Sequence, residues 1–157
     1  MTLELRAVAW DDPAGERLRV AQRVELTARY QDPNSEPGPL PSADYMTVYY
    51  VAFEDDVPVG CAGLRRLDAE HGEIKRMYVD PAARGTGVAV ALLRRLEEDA
   101  RALGWNRLVL ETGERQPDAM RFYEREGYRS IPPFGYYVGS SLSRCYEKVF
   151  AESVAFE

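Results

Sequence analysis

Apolar and polar residues alternate along this chain with two different periods. Leu3 to Val8 reads as a first strand. From Pro13 to Tyr30 the period lengthens, and Leu18, Val20, Ala21, Val24 and Leu26 fall within one broad apolar stripe of a helix. Gln31 to Asp44 carries four prolines and one glycine, too many for the interior of an element, so it is a long loop. Loops of that length are often functional.

Met46 to Phe53 is β-branched and aromatic and predicts a strand, turned by Glu54-Asp55-Asp56. Val57 to Leu67 returns as a second strand with Gly60 and Gly63 inside it. His71-Gly72 turns the chain again into a third strand, Glu73 to Val79, closed by Asp80-Pro81. Between Gly87 and Leu103 the positions Val88, Leu92, Leu93, Leu96, Ala100 and Leu103 follow helical spacing, with Gly104 as the stop. Arg107 to Glu111 is a strand, Asp118 to Glu126 a helix closed by Gly127, and Tyr128 to Ile131 a strand. A loop from Pro132 to Leu142 precedes a last strand, Ser143 to Phe150.

The order β–α–βββ–α–β–α–β–β predicts one α/β domain over residues 1–157. An antiparallel meander feeds a central βαβ unit, so the sheet is mixed and mostly antiparallel, with helices on both faces. There is no internal repeat and no low-complexity tract. At 157 residues, 45 % of them hydrophobic and 29 % charged, the chain suffices for a core of its own.

A net charge of −6 argues against a general nucleic-acid binder, which shows a basic face. No apolar run approaches the ~18–20 residues of a membrane span, and Met1 to Trp10 lacks the pattern of a secretory signal. The expectation is a cytoplasmic protein with no nucleic-acid or membrane partner. Cys61, Cys145 and His71 are too scattered to form a metal site.

One segment carries chemistry. Val79-Asp-Pro-Ala-Ala-Arg84-Gly85-Thr86-Gly87-Val88-Ala89 leaves a strand and opens a helix. Two glycines let successive backbone N–H groups turn toward one point, and the helix start adds unpaired N–H groups and the positive end of its dipole. Such a turn suits a phosphate or pyrophosphate, with Arg84 adding a charge-assisted contact. A dinucleotide fingerprint would need glycine where Val90 stands, and the Gly-Lys-Ser/Thr of a P-loop is absent. Taken alone, the segment also reads as an ordinary glycine-containing turn.

Arg84-x-x-Gly87-x-Ala89 after Met77-Tyr78-Val79 resembles the acetyl-CoA signature of the GCN5-related N-acetyltransferase superfamily. Ala119-Met-Arg-Phe122-Tyr123-Glu-Arg-Glu-Gly127-Tyr128 resembles that superfamily's next motif. Both lie in the expected order on the expected elements. The resemblance implies the acyl-CoA N-acyltransferase fold, with acetyl-CoA as acetyl donor. It implies that the 73–79 strand splays from the one near 107–111 and that the pantetheine arm slots between them like an added strand. Met77, Tyr78 and Val79 would line the arm. Arg84, Gly85, Thr86, Gly87, Val88 and Ala89 would hold the pyrophosphate. Gln116 stands where many members carry Asn. By analogy with relatives of this fold, a homodimer is expected, with Ala151 to Glu157 as a tail or dimer element.

Acetylating an amine requires removing a proton from a group whose unperturbed pKa is about 10.4, a donor for the oxyanion, and a proton for the leaving thiolate. Glu73 is the candidate base by the resemblance, against the alternatives of an ion pair with Lys75 or Arg76, or a water chain. Tyr123 is the candidate acid, against a plain core tyrosine beside a core Phe122. The oxyanion donor would be a backbone N–H near Met77 or Tyr78. Arg29, Tyr30, Arg65, Phe134, Tyr136 and Tyr137 are candidates for the acceptor pocket or for packing. The expected reaction is direct acetyl transfer, in a ternary complex, to a primary amine of a small molecule. A protein acetyltransferase and a non-catalytic acyl-CoA sensor are the alternatives.

Overall fold

The computed structural model describes residues 2–32, 38 and 41–150. Most of the proline-rich loop and the segment 151–157, the expected tail or dimer element, lie outside the described residues. The elements are β1 (Leu3–Ala7), α1 (Pro13–Tyr30), β2 (Val48–Glu54), β3 (Val57–Arg66), β4 (His71–Val79), α2 (Val88–Ala102), β5 (Arg107–Gly113), α3 (Pro117–Arg125), β6 (Arg129–Ile131) and β7 (Ser143–Val149). Their order is the one the sequence pattern predicts. They build a seven-stranded sheet, β1-β2-β3-β4-β5-β7-β6. Every neighbouring pair is antiparallel except β4–β5, the two strands that α2 connects.

Helices cover both faces. On one, α2 lays Leu92, Leu93, Leu96 and Ala100 against Ala62, Leu64, Leu108 and Leu110, all buried. Each leucine taken fully from water there contributes about 1.5–3 kcal/mol. On the other, α1 sets Ala14 and Leu18 over Tyr49, Val51, Phe53 and Cys61. Asp12 caps α1 by accepting from the Ala14 N–H at 3.0 Å, with Pro13 as its first residue. Among the described residues, no helix is long and apolar enough to cross a membrane.

Three sequence expectations are corrected. Val20 and Val24, read within the broad apolar stripe of α1, are 61 % and 64 % exposed. The helix rests on the sheet through its N-terminal turns, and its apolar stripe is too broad for all of it to meet the sheet. His71-Gly72, read as a turn, already pairs with Arg107 and Leu108. Asp68 makes the turn instead, accepting from the Glu70 N–H at 2.9 Å and meeting His71 Nδ1 at 2.8 Å. Phe122, read as core, is only partly buried and borders a cavity.

Gly72 has a steric reason. A Cβ built there would lie 2.2 Å from the indole of Trp105, which is 2 % exposed and closes the end of the core. Gly72→Ala should therefore destabilise the fold by about 1–3 kcal/mol through overpacking. Urea unfolding should show a lower midpoint at an unchanged m value.

Candidate active site

β4 and β5 pair over three residues only: His71↔Arg107, Gly72↔Leu108 and Glu73↔Val109. Beyond Glu73, β4 stays on β3 as far as Val79, while β5 stays on β7 as far as Gly113. The two strands separate into the gap that the resemblance implies. A bulge accompanies the separation. Tyr78 faces Cys61 and Lys75 faces Gly63, so Arg76 and Met77 together oppose Ala62. Arg76 takes φ 58°, left-handed backbone on a residue with a side chain, at a cost of about 1–3 kcal/mol. Two contacts hold the bulge: the Cys61 thiol donates to the Arg76 carbonyl at 3.3 Å, and Gln22 Nε2 of α1 donates to the Met77 carbonyl at 3.1 Å.

The loop after β4 presents an anion nest. Asp80 caps the turn Pro81–Ala83, and Gly85 and Gly87 take φ +79° and +93° before α2 begins at Val88. Among the described residues, no backbone acceptor takes the N–H groups of Gly85, Thr86, Gly87, Val88, Ala89 or Val90. Gly85, Gly87, Ala89 and Val90 line the adjoining cavity, whereas Thr86 and Val88 do not: the Thr86 hydroxyl donates back to the Ala83 carbonyl and the Val88 side chain lies in the core. Arg84 is tied to both sides of the loop. Its Nε donates to the Val79 carbonyl at 2.9 Å, and its Nη2 meets Glu25 of α1 at 2.9 Å.

A cavity of about 460 Å³ runs from Gly85 and Gly87 past Met77, Tyr78 and Val79 to Phe122 and Tyr123. A smaller one, about 110 Å³, continues beyond, bordered by Tyr30, Lys75, Arg76, Glu111 and Ser143. Gln22, Met77, Gln116 and Tyr123 border both. Tyr123 is buried, with edge contacts to Phe122 and Tyr128. Burial pushes its phenol above the usual tyrosine range, so it stays protonated. Its hydroxyl takes no hydrogen-bond partner among the described residues.

Glu73 is placed differently from Tyr123. It is 1 % exposed and borders neither cavity. Its Oε2 accepts from the Tyr137 hydroxyl at 2.7 Å and lies 3.7 Å from Lys75 Nζ; its Oε1 lies 3.3 Å from Arg65. Lys75 Nζ donates to the same Tyr137 hydroxyl at 2.9 Å. Lys75 borders the smaller cavity, so a chain of two hydrogen bonds links that cavity to Glu73 through Tyr137.

The acceptor candidates divide. Arg65 and Tyr137 join Glu73, and Phe134 packs edge-on against Tyr137 at 5.2 Å. Tyr30 borders the smaller cavity and sits 3.5 Å from the Gln116 amide. Arg29 borders the larger one instead. Tyr136 is 57 % exposed, its ring against Gly38.

Sequence reasoning missed Gln22, Glu25 and Leu26, which with Arg29 border the larger cavity at the 3–4 spacing of one helix face. That spacing was available as a signal. It also missed Glu111, a carboxylate on the smaller cavity bonded by Ser143 Oγ at 2.7 Å. Burial raises both thiols, Cys61 and Cys145, to about 11, so neither is a ready nucleophile. Among the described residues, no three His, Cys, Asp or Glu side chains gather as metal ligands.

Known proteins resemble this chain in sequence and in fold. The model of the acetyltransferase (GNAT) family matches residues 15–128. The IAA acetyltransferase of Azospirillum brasilense is 40 % identical over 102 residues, 64 % of this chain and 66 % of that protein. The uncharacterized N-acetyltransferase YjgM of Escherichia coli is 32 % identical over 143 residues, 80 % and 81 % of the two chains. A crystal structure from Klebsiella pneumoniae, assigned to the acyl-CoA N-acyltransferases, superposes with a TM-score of 0.80 at 27 % identity, covering 96 % of this chain and 99 % of that one. The chain spans 66 % and 60 % of the length of the first two curated relatives it matches. With a family match across both motifs and a fold shared over nearly its whole length, the chain belongs to the GNAT acetyltransferase family.

Proposed function

We propose that the protein transfers the acetyl group of acetyl-CoA directly to a primary amine of a small molecule, in a ternary complex. The observation that carries this reading is the gap between β4 and β5, where a long cavity and a short one meet at Tyr123. The pyrophosphate lies on the N–H groups of Gly85 to Val90, and the pantetheine arm runs along Met77 to Val79. The thioester then reaches the junction of the two cavities, facing an amine in the smaller one. That cavity, about 110 Å³, favours a small acceptor over a peptide.

The amine nitrogen bonds to the thioester carbonyl carbon, and the carbon–sulfur bond breaks. The nitrogen gives up a proton and the thiolate gains one. Tyr123 is the acid: it is protonated and borders both cavities, with its hydroxyl uncommitted among the described residues. Glu73 is the base: Lys75 gives a proton to the Tyr137 hydroxyl as that hydroxyl gives its own to Glu73, and the neutral Lys75 amine then takes the acceptor's proton. The backbone at the bulge, near Met77 and Tyr78, carries the oxyanion. Two relatives support an amine-directed reading by name: an aminoalkylphosphonate N-acetyltransferase of Salmonella typhimurium and an amino-acid acetyltransferase of Mycobacterium tuberculosis. The free thiols suit a reducing compartment, and we place the enzyme in the cytoplasm.

Calorimetry with acetyl-CoA, CoA and dephospho-CoA, alongside thiol release over an amine panel, tests the whole reading. Amine-dependent thiol release is expected; absence of binding to all three overturns it. Gly87→Asp puts a carboxylate on the nest, and acetyl-CoA affinity should fall by about 100-fold or more. Gly87→Ala, which adds backbone strain without charge, should lose far less. Tyr123→Phe should lower kcat by about 100-fold while acetyl-CoA affinity holds; unchanged turnover removes Tyr123 from the chemistry. Glu73→Gln, checked for folding by circular dichroism, should also lower kcat by about 100-fold. If it instead lowers the unfolding midpoint and leaves kcat alone, Glu73 serves only the buried network.

A further inference from the structure

The larger cavity, which runs from the glycine nest to Tyr123, is bordered by three arginines, Arg29, Arg84 and Arg125, and by two carboxylates, Glu25 and Asp118. A carboxylate on the path of a polyanion such as acetyl-CoA repels it, so Glu25 needs a reason to be there. Its place is set by α1. Glu25 lies three residues after Gln22 and four before Arg29, on the helix face that borders the cavity.

Glu25 engages two of those arginines at once. Its Oε2 accepts from Arg84 Nη2 at 2.9 Å, and its Oε1 lies 3.8 Å from Arg29 Nη2. The Arg29 pair is an ordinary one, a Glu four residues before an Arg on a helix surface. The Arg84 pair joins α1 to the loop after β4, 59 residues further along the chain, and Arg84 directly precedes the first glycine of the nest. Two features make that pair easy to exchange. Both side chains are partly exposed, 29 % for Glu25 and 39 % for Arg84, and an ion pair in such a setting contributes only about 0–1 kcal/mol. Neither partner depends on it for its position. Arg84 Nε donates to the Val79 carbonyl at 2.9 Å. On either side of Glu25, α1 is tied by Gln22 to the Met77 carbonyl and by the Tyr30 hydroxyl, which accepts from the Arg115 N–H at 3.3 Å. A phosphate seated on the nest would offer the neighbouring guanidinium a charge-assisted contact at least as strong as the one it gives up.

We propose that Glu25 is a placeholder for the cofactor's pyrophosphate. It pairs with Arg84 until the pyrophosphate reaches the nest, then gives Arg84 up and keeps Arg29 as its partner. Each CoA that binds displaces a carboxylate from Arg84, and each CoA that leaves returns Arg84 to it. Glu25 is thus a positioning residue that acts through Arg84, lowering cofactor affinity and speeding the release of product CoA. This inference rests on the placement of the pyrophosphate at Gly85 to Val90 and adds the residue that regulates its binding.

The test is calorimetric binding of CoA and dephospho-CoA to the wild type, Glu25→Gln, Arg84→Gln and the double variant, each checked for folding by circular dichroism. Glu25→Gln should tighten both ligands by about fivefold, and stopped-flow displacement should show most of that gain as slower dissociation. Arg84→Gln should weaken both. In the Arg84→Gln background the gain from Glu25→Gln should fall to about twofold or less, because the two residues act as one pair. Unchanged or lost affinity in Glu25→Gln overturns the assignment. A gain of the same size with and without Arg84 also overturns it, since plain repulsion between two anions accounts for that result. A gain seen with CoA and absent with dephospho-CoA overturns it too, and moves the contact to the 3′-phosphate. The reading on which it rests fails differently: a wild-type protein that binds neither ligand removes the pyrophosphate site, and this assignment with it.

Discussion

The short pairing between β4 and β5 is the constraint on which the rest of the structure depends. Three residues of parallel ladder end at Glu73, and from there each strand keeps only its outer neighbour. Separating two central strands exposes backbone groups that a closed sheet would pair, so the gap persists only where something else holds it. Several side chains do. Trp105 fills the space over Gly72 at the closed end. At the open end the Tyr30 hydroxyl sits so close to Gly113 that a Cβ there would lie 1.5 Å from it. Gln22 takes the Met77 carbonyl from one side, and Tyr123 borders the gap as part of the core on the other. The opening is therefore held by the chain's own side chains, which lowers the ordering that an extended ligand must drive on binding.

Buried charge is distributed in keeping with that opening. Glu73, Lys75, Arg65 and Tyr137 form a network on the α1 side of the sheet, where each charged group has a partner. Such a cluster adds little net stability, yet removing one member leaves an uncompensated charge in a dry place. It also ties the Gly135–Tyr137 turn to β4, so the aromatic loop and the strand beside the gap hold each other in place. A carboxylate placed so deeply reaches the cavity only through its partners. The two catalytic candidates are thus placed differently: Glu73 lies behind the smaller cavity with Lys75 in front of it, while Tyr123 borders it directly.

Much of this was legible in the sequence. The order of all ten elements follows from period and punctuation. The nest follows from two glycines placed between a strand and a helix, because only glycine adopts those φ values freely. What escaped reading has a common physical cause. Periodicity says which residues share a face and leaves open which face meets the sheet, so Val20 and Val24 belong to the apolar stripe and yet are exposed, while Gln22 and Glu25, beside Leu26 and Arg29, were overlooked. The His71-Gly72 pair looked like a turn because glycine marks turns more often than it marks room for an indole. Phe122 followed a core pattern and borders a cavity, since a ligand site is apolar too.

The bulge at Arg76 and Met77 left no trace in composition or spacing, and it lies where the gap between β4 and β5 opens. One extra residue on β4 shifts its register against β3. It coincides with the stretch where the strand leaves β5 and a cavity opens for an extended ligand. The same extra residue is an arginine in left-handed backbone that borders the cavity on either side of it. An inserted residue that served only to bend the strand would be best made by glycine. An inserted arginine bends the strand and also lines the cavities on either side of it, so the backbone that opens the gap shapes the walls of the site as well.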